Sequence, residues 1–288
     1  MPFLRLPPEI LRQIFSEIGS SFFREDLGRL TVCKLWFEFA LPTCFKSITL
    51  SQETLRSLVT SGAIKGLSPL KDGLETLDLE VRGYQSCLST SYPQEYAQES
   101  TSLKAPAPSG GPADDPVKTW IKILNNDLTQ LAIVAQQSHR LRILRIRAWR
   151  SRSPEPLDTP QDYLRLPTMQ AFLSVENLSV LVLDLSGSFL VSSGQQGIGR
   201  HICPAIGAVL RTLRTLHLRM RSICPDVLKP RDLNDGLRLS VVVINLSLTT
   251  DLPGITSAAH STRCGSQGGG LLQLKAEIQE QAEALAAL

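Results

Sequence analysis

Apolar residues recur through the middle of the chain in a six-residue pattern, Leu-x-x-Leu-x-Leu. Four copies and a degenerate fifth begin at Leu74, Leu141, Leu178, Leu213 and Leu239. The pattern places its apolar residues on one face of a strand and its spacers on the other. Helix-like runs occupy residues 120–137, 168–175 and 201–210, between successive copies. Strand, crossover helix and parallel strand is therefore the unit that this order predicts.

Several such units in a row resemble a leucine-rich-repeat solenoid, an α/β fold with parallel strands. The copies start 67, 37, 35 and 26 residues apart, whereas regular repeats span about 20–29 residues, so the predicted repeat is irregular. The excess length falls in stretches rich in Ser, Pro, Gly and Gln. Residues 85–117 are predicted to be a long disordered insert, and residues 151–162 and 186–199 are shorter examples. An ordinary open α/β domain is the alternative.

The first fifty residues carry a helical pattern instead. Pro7 and Pro8 suit the start of a helix, where a missing N–H costs nothing. Five apolar residues then share one helical face: Ile10, Leu11, Ile14, Phe15 and Ile18. Gly19 is predicted to end this helix, with a loop at Ser20 and Ser21.

Two more short helices are predicted before residue 50. Asp26 can cap the first of them, which carries Leu27 and Leu30, although Gly28 is expected to weaken it. The other begins near Val32 and is predicted to end at Pro42. Three short helices this apolar cannot cover all of their apolar surface with one another. The module is therefore expected to contact a partner or a neighbouring domain.

The order of these residues resembles an F-box. The matching motifs are Leu-Pro-x-Glu-Ile-Leu (residues 6–11), Ile-Phe (14–15), Asp-Leu (26–27), Leu30, Val-Cys-x-x-Trp (32–36) and Pro42 leading to Phe45 and Ile48. The resemblance covers residues 4–50 and implies binding to the Skp-type adaptor of a cullin-based SCF ubiquitin ligase. Position by position, the implied adaptor-facing residues are Leu6, Pro7, Ile10, Leu11, Ile14, Leu27, Leu30, Val32 and Trp36. Phe15, Cys33 and Phe37 are assigned to the module's own core, and a plain N-terminal helical cap is the alternative.

Charged spacers on the predicted strands suggest a docking surface. In the stretch 139–150, alternation favours a half-buried strand over a nucleic-acid-binding segment, so Arg145 and Arg147 are expected to face outward. The same rule along the other strands gives a mixed charged face that is our hypothesis for substrate binding: Asp78, Glu80, Arg145, Arg147, Asp184, His217 and Arg219. Arginine forks suit carboxylates and phosphates, which points to an acidic or phosphorylated protein segment. Ordinary solvated charges are the alternative.

Composition narrows the functional classes. The formal net charge of +3 is too close to balance to indicate nucleic acid or a membrane surface. No apolar run is long enough to span a bilayer, and residues 1–20 lack the features of a signal peptide. An intracellular protein, cytoplasmic or nuclear, is therefore expected. The sequence contains no nucleophile-elbow, zinc-protease or phosphate-loop motif, which predicts a non-catalytic chain without a cofactor.

The six cysteines are scattered and form no Cys-x-x-Cys pair. A zinc site or a disulfide framework therefore has little support from the sequence, and free buried thiols are predicted. The four histidines are not spaced as metal ligands. His201 lies near Cys203, but two potential ligands do not make a site.

The chain ends in two predicted parts. Residues 251–270 are rich in Ser, Thr and Gly and are predicted to be a flexible linker. Residues 271–288 form a helix with an interrupted heptad, which is expected either to pack on the preceding domain or to bind a partner. The predicted organisation is thus an F-box-like module at 1–50, a repeat-like domain at 51–250, the linker and the helix.

Two functions are compatible with this organisation. In the first, the N-terminal module binds the adaptor and cullin assembly while the repeat-like domain holds a protein for ubiquitin transfer. In the second, the chain is a scaffold that binds the adaptor outside any ligase and delivers no substrate. Co-purification of a cullin distinguishes them.

Overall fold

The computed structural model describes residues 6–66, 68–84, 115–149, 162–188, 190, 201–231, 236–248, 259–265 and 270–287. Most of the predicted inserts lie outside the described residues. The insert predicted at 85–117 extends too far at its C-terminal end, because Asp115 caps a helix that begins at Pro116. In the described part of the chain, no helix is both long and apolar enough to cross a membrane.

The N-terminal module consists of helix α1 (Pro8–Glu25), a first 3-10 helix (Leu27–Leu30) and helix α2 (Lys34–Cys44). Its core is a cluster of its own, separate from the main core of the chain, and consists of Leu11, Phe15, Phe23, Leu30, Ala40 and Cys44. The rings of Phe15 and Phe23 lie 5.7 Å apart, and the ring of Trp36 meets Phe15 edge-on at 4.6 Å. These aromatic contacts give a small module a packed centre.

The predicted break of the first helix at Gly19 is confirmed, but the predicted loop after it and the predicted helix end at Pro42 were wrong. Gly19 takes a left-handed conformation, with φ of 79°, and kinks the chain, but Ser20 and Ser21 are helical rather than a loop. Pro42 lies inside α2, which continues to Cys44. Proline removes only one hydrogen bond from the last turn of a helix, and that loss does not stop two further residues from remaining helical.

Six strands form one parallel sheet in the order β1-β2-β3-β4-β5-β7. They are β1 (Ser47–Ser51), β2 (Thr76–Arg82), β3 (Ile143–Trp149), β4 (Val180–Leu185), β5 (Thr215–Met220) and β7 (Val241–Asn245). The prediction of parallel strands is confirmed. Since β1 pairs with β2, and its Leu50 lies in the main core, the boundary between the two cores falls before Ser47 rather than at residue 50.

All five copies of the six-residue pattern pair in matching register. Thr76, Ile143, Val180, Thr215 and Val241 are successive partners across the sheet, and each follows the first leucine of its copy by two residues. The first leucine therefore precedes the strand, and the last two apolar positions lie within it. Leu77 and Leu79, for example, are each at most 2% exposed. Period-two alternation places these side chains together on the buried face.

In the described residues, six further helices lie between β1 and β5 in sequence and cover the buried face of the main sheet. They are α3 (Gln52–Thr60), α4 (Ala63–Gly66), α5 (Ser68–Gly73), α6 (Pro116–Gln136), α7 (Leu166–Leu173) and α8 (Cys203–Val209). Ser51 caps α3 as predicted, since its Oγ accepts a hydrogen bond from the N–H of Thr54 at 3.2 Å. The buried residues of α3, α6, α7 and α8 join those of the strands in one continuous core. Architecturally, this part is an α/β fold built on a parallel sheet.

The C-terminal part is more ordered than predicted. A second, two-stranded parallel sheet pairs β6 (Ser222–Ile223) with β8 (Thr262–Arg263). The predicted linker at 251–270 is therefore wrong for residues 259–265, whose side chains include the buried Ser261. Between the two strands of this sheet in sequence lies a second 3-10 helix (Pro225–Leu228).

Helix α9 (Leu271–Ala286) packs against the second 3-10 helix and β8. Leu274, Ile278 and Leu285 are buried in the main core, and Glu277 forms an ion pair with Arg263 at 3.0 Å. Of the two alternatives for the C-terminal helix, packing on the preceding domain is thus the one observed.

Candidate functional site

Helix α1 carries one broad apolar arc, of which only part is buried. Leu11 and Phe15 are fully buried in the module's core. Ile10 and Ile14, one residue before each of them, point away from it and line an open groove together with Ile18 and the polar Gln13 and Glu17. A surface helix normally buries the apolar side chains of such an arc. The described residues of the module leave the side of the arc that carries Ile10 and Ile14 uncovered.

Exposed apolar side chains concentrate in this module. In the part of the chain that the structure describes, twelve large apolar residues are exposed, and seven of them lie between residues 6 and 37. The seven are Leu6, Ile10, Phe22, Leu27, Val32, Leu35 and Phe37. Scattered apolar residues are normal on a protein surface, but a concentration of this kind marks an interaction site.

The nine residues that the F-box resemblance implied as adaptor-facing divide into three groups. Leu6, Pro7, Ile10, Leu27 and Val32 are exposed, whereas Ile14 and Trp36 are half-buried. Leu11 and Leu30, only 1% and 7% exposed, lie in the module's core, so their assignment to the binding surface was wrong.

The three residues assigned to the module's core also divide. Phe15 is buried as predicted. Phe37 is 40% exposed, so the prediction was wrong for this residue. Cys33 is half-buried and caps α2, because its Sγ accepts a hydrogen bond from the N–H of Trp36 at 3.4 Å. Phe37 therefore joins the exposed apolar residues around the start of α2.

Local hydrogen bonds fix the first 3-10 helix, from which Leu27 projects. Asp26 accepts from the N–H of Gly28 at 2.8 Å, and a Cβ at residue 28 would lie 2.9 Å from the same carboxylate oxygen. Gly28 thus permits the cap rather than merely weakening the helix. The carbonyl of Arg29 accepts a hydrogen bond from Nε1 of Trp36 at 2.6 Å. The segment that presents Leu27 is consequently held to α2.

The charged residues predicted on the strands form two rows across the sheet. One row contains Asp78, Arg145, Val182 and His217, and the other contains Glu80, Arg147, Asp184 and Arg219. Their alternate neighbours on the strands are buried, so both rows lie on the face opposite the main core. The outward orientation of these residues agrees with the prediction.

The arginines in these rows are already paired. Arg145 lies 3.2 Å from Asp78, Arg147 lies 3.1 Å from Glu80, and Arg219 lies 3.4 Å from Asp184. Arg219 also donates to the carbonyl of Ser247. An acidic ligand would have to compete with these carboxylates for the guanidinium groups. The face is therefore suited to a partner that carries charges of both signs rather than to a purely acidic one.

A cluster that the sequence analysis did not predict lies at the C-terminal end of the domain. His201, Cys203, Cys224 and Cys264 each bring one potential ligand atom within 4.8 Å of all the others. The Sγ atoms of Cys203 and Cys264 are 3.8 Å apart, and the Sγ of Cys224 is 3.8 Å from Nδ1 of His201. Three of the six cysteines, scattered in sequence, are thus together in space.

Hydrogen bonds inside the cluster lower the pKa of one thiol and raise the pKa values of its neighbours. Hydrogen bonding from Cys203 holds the pKa of the Cys224 thiol far below its ordinary value. The bond to Cys224 raises the pKa of Cys203 and, together with the nearby negative charges, raises that of His201.

The sequence offered one partial signal for the cluster, the proximity of His201 to Cys203. The other two ligands, 21 and 61 residues after Cys203, are brought in by the pairing of β6 with β8. These strands are two residues long, too short for any periodicity to reveal them.

Comparisons with protein-family models and with curated proteins found no match to this chain.

Proposed function

We propose that this chain is the substrate-recognition subunit of an SCF-type cullin ubiquitin ligase. In this proposal the module at residues 6–46 is an F-box that binds a Skp-type adaptor, and the sheet domain binds a protein target. The chain itself performs no chemistry. It holds the target near a charged conjugating enzyme and so raises the effective concentration of the reacting groups.

The observation that carries the proposal is the exposed side of the apolar arc of α1. Ile10 is 42% exposed, although Leu11 and Phe15 on the adjoining side of the same arc are buried. Leu27 and Val32, at 63% and 49%, add exposed apolar surface outside α1. All three belong to positions at which the sequence resembles an F-box. The burial of such side chains yields about 1.5–3 kcal/mol each, enough for a few of them to dominate an interface.

For the sheet domain, we propose an irregular leucine-rich-repeat-like organisation. The matching register of all five copies of the six-residue pattern supports it. The strand order follows the chain order along the main sheet, as expected when each unit stacks on the previous one. The two charged rows, in which Arg145 and Arg147 are paired with Asp78 and Glu80, would then be the surface that meets a target with charges of both signs.

A co-purification experiment tests the proposal. The full chain is expressed with an affinity tag as wild type, as Ile10→Glu and as Ile133→Glu. Ile133 is the matched control, since it is 49% exposed on α6, outside the module. We expect adaptor and cullin with the wild type and the control, and neither with Ile10→Glu, because a buried charge in an apolar interface is costly.

The other outcomes are informative. Adaptor without cullin with the wild type and the control, and no adaptor with Ile10→Glu, would support the alternative function, a scaffold that binds the adaptor without delivering a substrate. Absence of the adaptor from every sample, or equal recovery with Ile10→Glu, would contradict the proposed role of α1.

A further inference from the structure

The geometry points to a structural zinc site formed by His201, Cys203, Cys224 and Cys264, and we propose that the chain binds one Zn²⁺ there. Zn–S bonds of about 2.3 Å in a tetrahedron imply S···S separations of about 3.8 Å. The Sγ atoms of Cys203 and Cys264 are 3.8 Å apart, and the four potential ligand atoms lie within 4.8 Å of one another. The spacing fits a single tetrahedral ion.

The fold brings the ligands together by backbone pairing. Ile223 and Arg263 are partners in the parallel β6–β8 sheet, so Cys224 and Cys264, the residues that directly follow the two strands, emerge side by side. The N–H of Cys264 also donates to the carbonyl of Ile223 at 3.3 Å. This arrangement places two sulfur ligands next to each other independently of any metal.

The other two ligands come from the start of α8. Cys203 is its first residue, and His201 precedes it by two. Helix α8 approaches the second 3-10 helix through Gly207, where a Cβ would lie 2.7 Å from the carbonyl oxygen of Asp226. Only glycine allows this close approach, which brings α8 up to the segment that follows Cys224.

The surroundings of the cluster resemble those of known classes of zinc site. Cys203 and Cys224 are buried, and Cys264 and His201 are half-buried. Nδ1 and Nε2 of His201 lie 3.8 and 4.0 Å from the Sγ of Cys224, and Nε2 also lies 3.9 Å from a carboxylate oxygen of Asp226. A ligating histidine usually directs its second ring nitrogen to such a carboxylate, which orients the ring. Lys229 holds Asp226 in turn at 2.8 Å.

The ligand set favours zinc over harder cations. Thiolate and imidazole ligands in a tetrahedral arrangement suit Zn²⁺, and four protein ligands leave no open position for catalysis. On binding, each thiol that is still protonated releases its proton to the solvent as its sulfur bonds to the metal. The ion would fasten β8, and with it the attached helix α9, to α8. The inference does not depend on the proposed ligase function.

Metal analysis of the purified full chain tests the inference. We expect about one zinc per chain after purification without chelator, in the wild type and in Cys33→Ser. Cys33 is the matched control because its side chain caps α2, and a serine would cap it equally well. The variants Cys224→Ser and Cys264→Ser are expected to lose the bound zinc. Cys87→Ser, outside the described residues, is expected to retain it.

A second measurement uses only the wild-type chain and therefore does not depend on the folding of a variant. The metal-free, reduced chain is titrated with Co²⁺. We expect tetrahedral cobalt bands together with thiolate-to-cobalt charge transfer that saturates at about one equivalent, and displacement of both by Zn²⁺. Added Zn²⁺ should also raise the melting temperature of this chain, because it binds the folded state.

Two results would overturn the inference. One is a reduced, folded chain that binds neither zinc nor cobalt. The other is a native mass two hydrogens lower, with a disulfide mapped between two of the three clustered cysteines in the chain as isolated from cells.

Discussion

Gly207 offers a sharp test of the packing at the C-terminal end of the domain. It lies in α8 where the helix crosses the second 3-10 helix. A Cβ there would lie 2.7 Å from the carbonyl oxygen of Asp226 and 3.3 Å from the carbonyl carbon of Lys229. Both neighbours are backbone atoms, so no side-chain rotation can relieve the contact. Gly207→Ala is therefore expected to force the two elements apart.

The magnitude follows from two opposing effects. Overpacking of a tight site costs about 1–3 kcal/mol, and a backbone-to-backbone clash belongs at the upper end of that range. Alanine favours a helix over glycine by about 1 kcal/mol. The net loss in the free energy of unfolding is thus about 2 kcal/mol. For a chain of this size, that loss lowers the melting temperature by roughly 4–8 °C.

Urea unfolding followed by far-ultraviolet circular dichroism measures this loss. Gly236→Ala is the matched control, because among the described residues no atom lies within 4 Å of a Cβ at that position. We expect the control to change stability by less than about 0.5 kcal/mol. If Gly207→Ala were as stable as the control, the close approach of α8 to the second 3-10 helix would be wrong.

Five further substitutions, at four positions, probe other parts of the domain by the same unfolding measurement. Arg56→Ala should cost about 2 kcal/mol, because Arg56 contacts both oxygens of Asp127 at 3.1 Å and that carboxylate is buried. Arg147→Ala, which breaks a partly exposed pair, should cost less than about 1 kcal/mol; equal losses would refute this contrast. Asn125→Ala should cost about 2–3 kcal/mol, since the buried amide bonds three backbone groups, and an unchanged midpoint would contradict that role. Ser51→Ala should cost about 1 kcal/mol and Ser51→Thr much less, because only the hydroxyl-bearing residues cap α3; equal effects would argue against the cap.

The parallel sheet was predictable because a strand with one buried face shows an alternation of apolar and polar residues in the sequence. Leu77, Leu144, Leu181 and Leu216 occupy the same position in successive copies and pair across the sheet. The outward orientation of Arg145 and Arg147 followed from the same alternation. What the alternation did not reveal is that each arginine has a carboxylate directly opposite on β2, since register between strands separated by a long connection is not a local property.

The division of the module's apolar residues between its core and its surface was predictable only in part. Ile10, Leu11, Ile14 and Phe15 form one broad apolar arc in the sequence, and helical periodicity does not say which side of the arc is covered. The structure divides it between the core and the open groove. Leu30 was misassigned for a similar reason, because its burial depends on how the first 3-10 helix packs on α1.

The Cys–His cluster could not be predicted from local sequence patterns. Cys224 and Cys264 become neighbours only through the β6–β8 pairing. The two cysteines are 40 positions apart in the sequence, so no local pattern relates them. Similarly, Gly207 appears as an unfavourable residue in a short helix until the opposing carbonyls of the second 3-10 helix are known.

The most direct test of the central claim is a hydrogen-exchange footprint of the full chain with a purified Skp-type adaptor. The account predicts slower exchange of backbone amides in α1 between Pro8 and Ile18 and in residues 27–36, with unchanged exchange in the strands of the main sheet. Ile10→Glu should abolish this protection, whereas Ile133→Glu should leave it intact. Protection confined to the sheet, or no protection at saturating adaptor, would contradict the claim that the N-terminal module is an adaptor-binding surface.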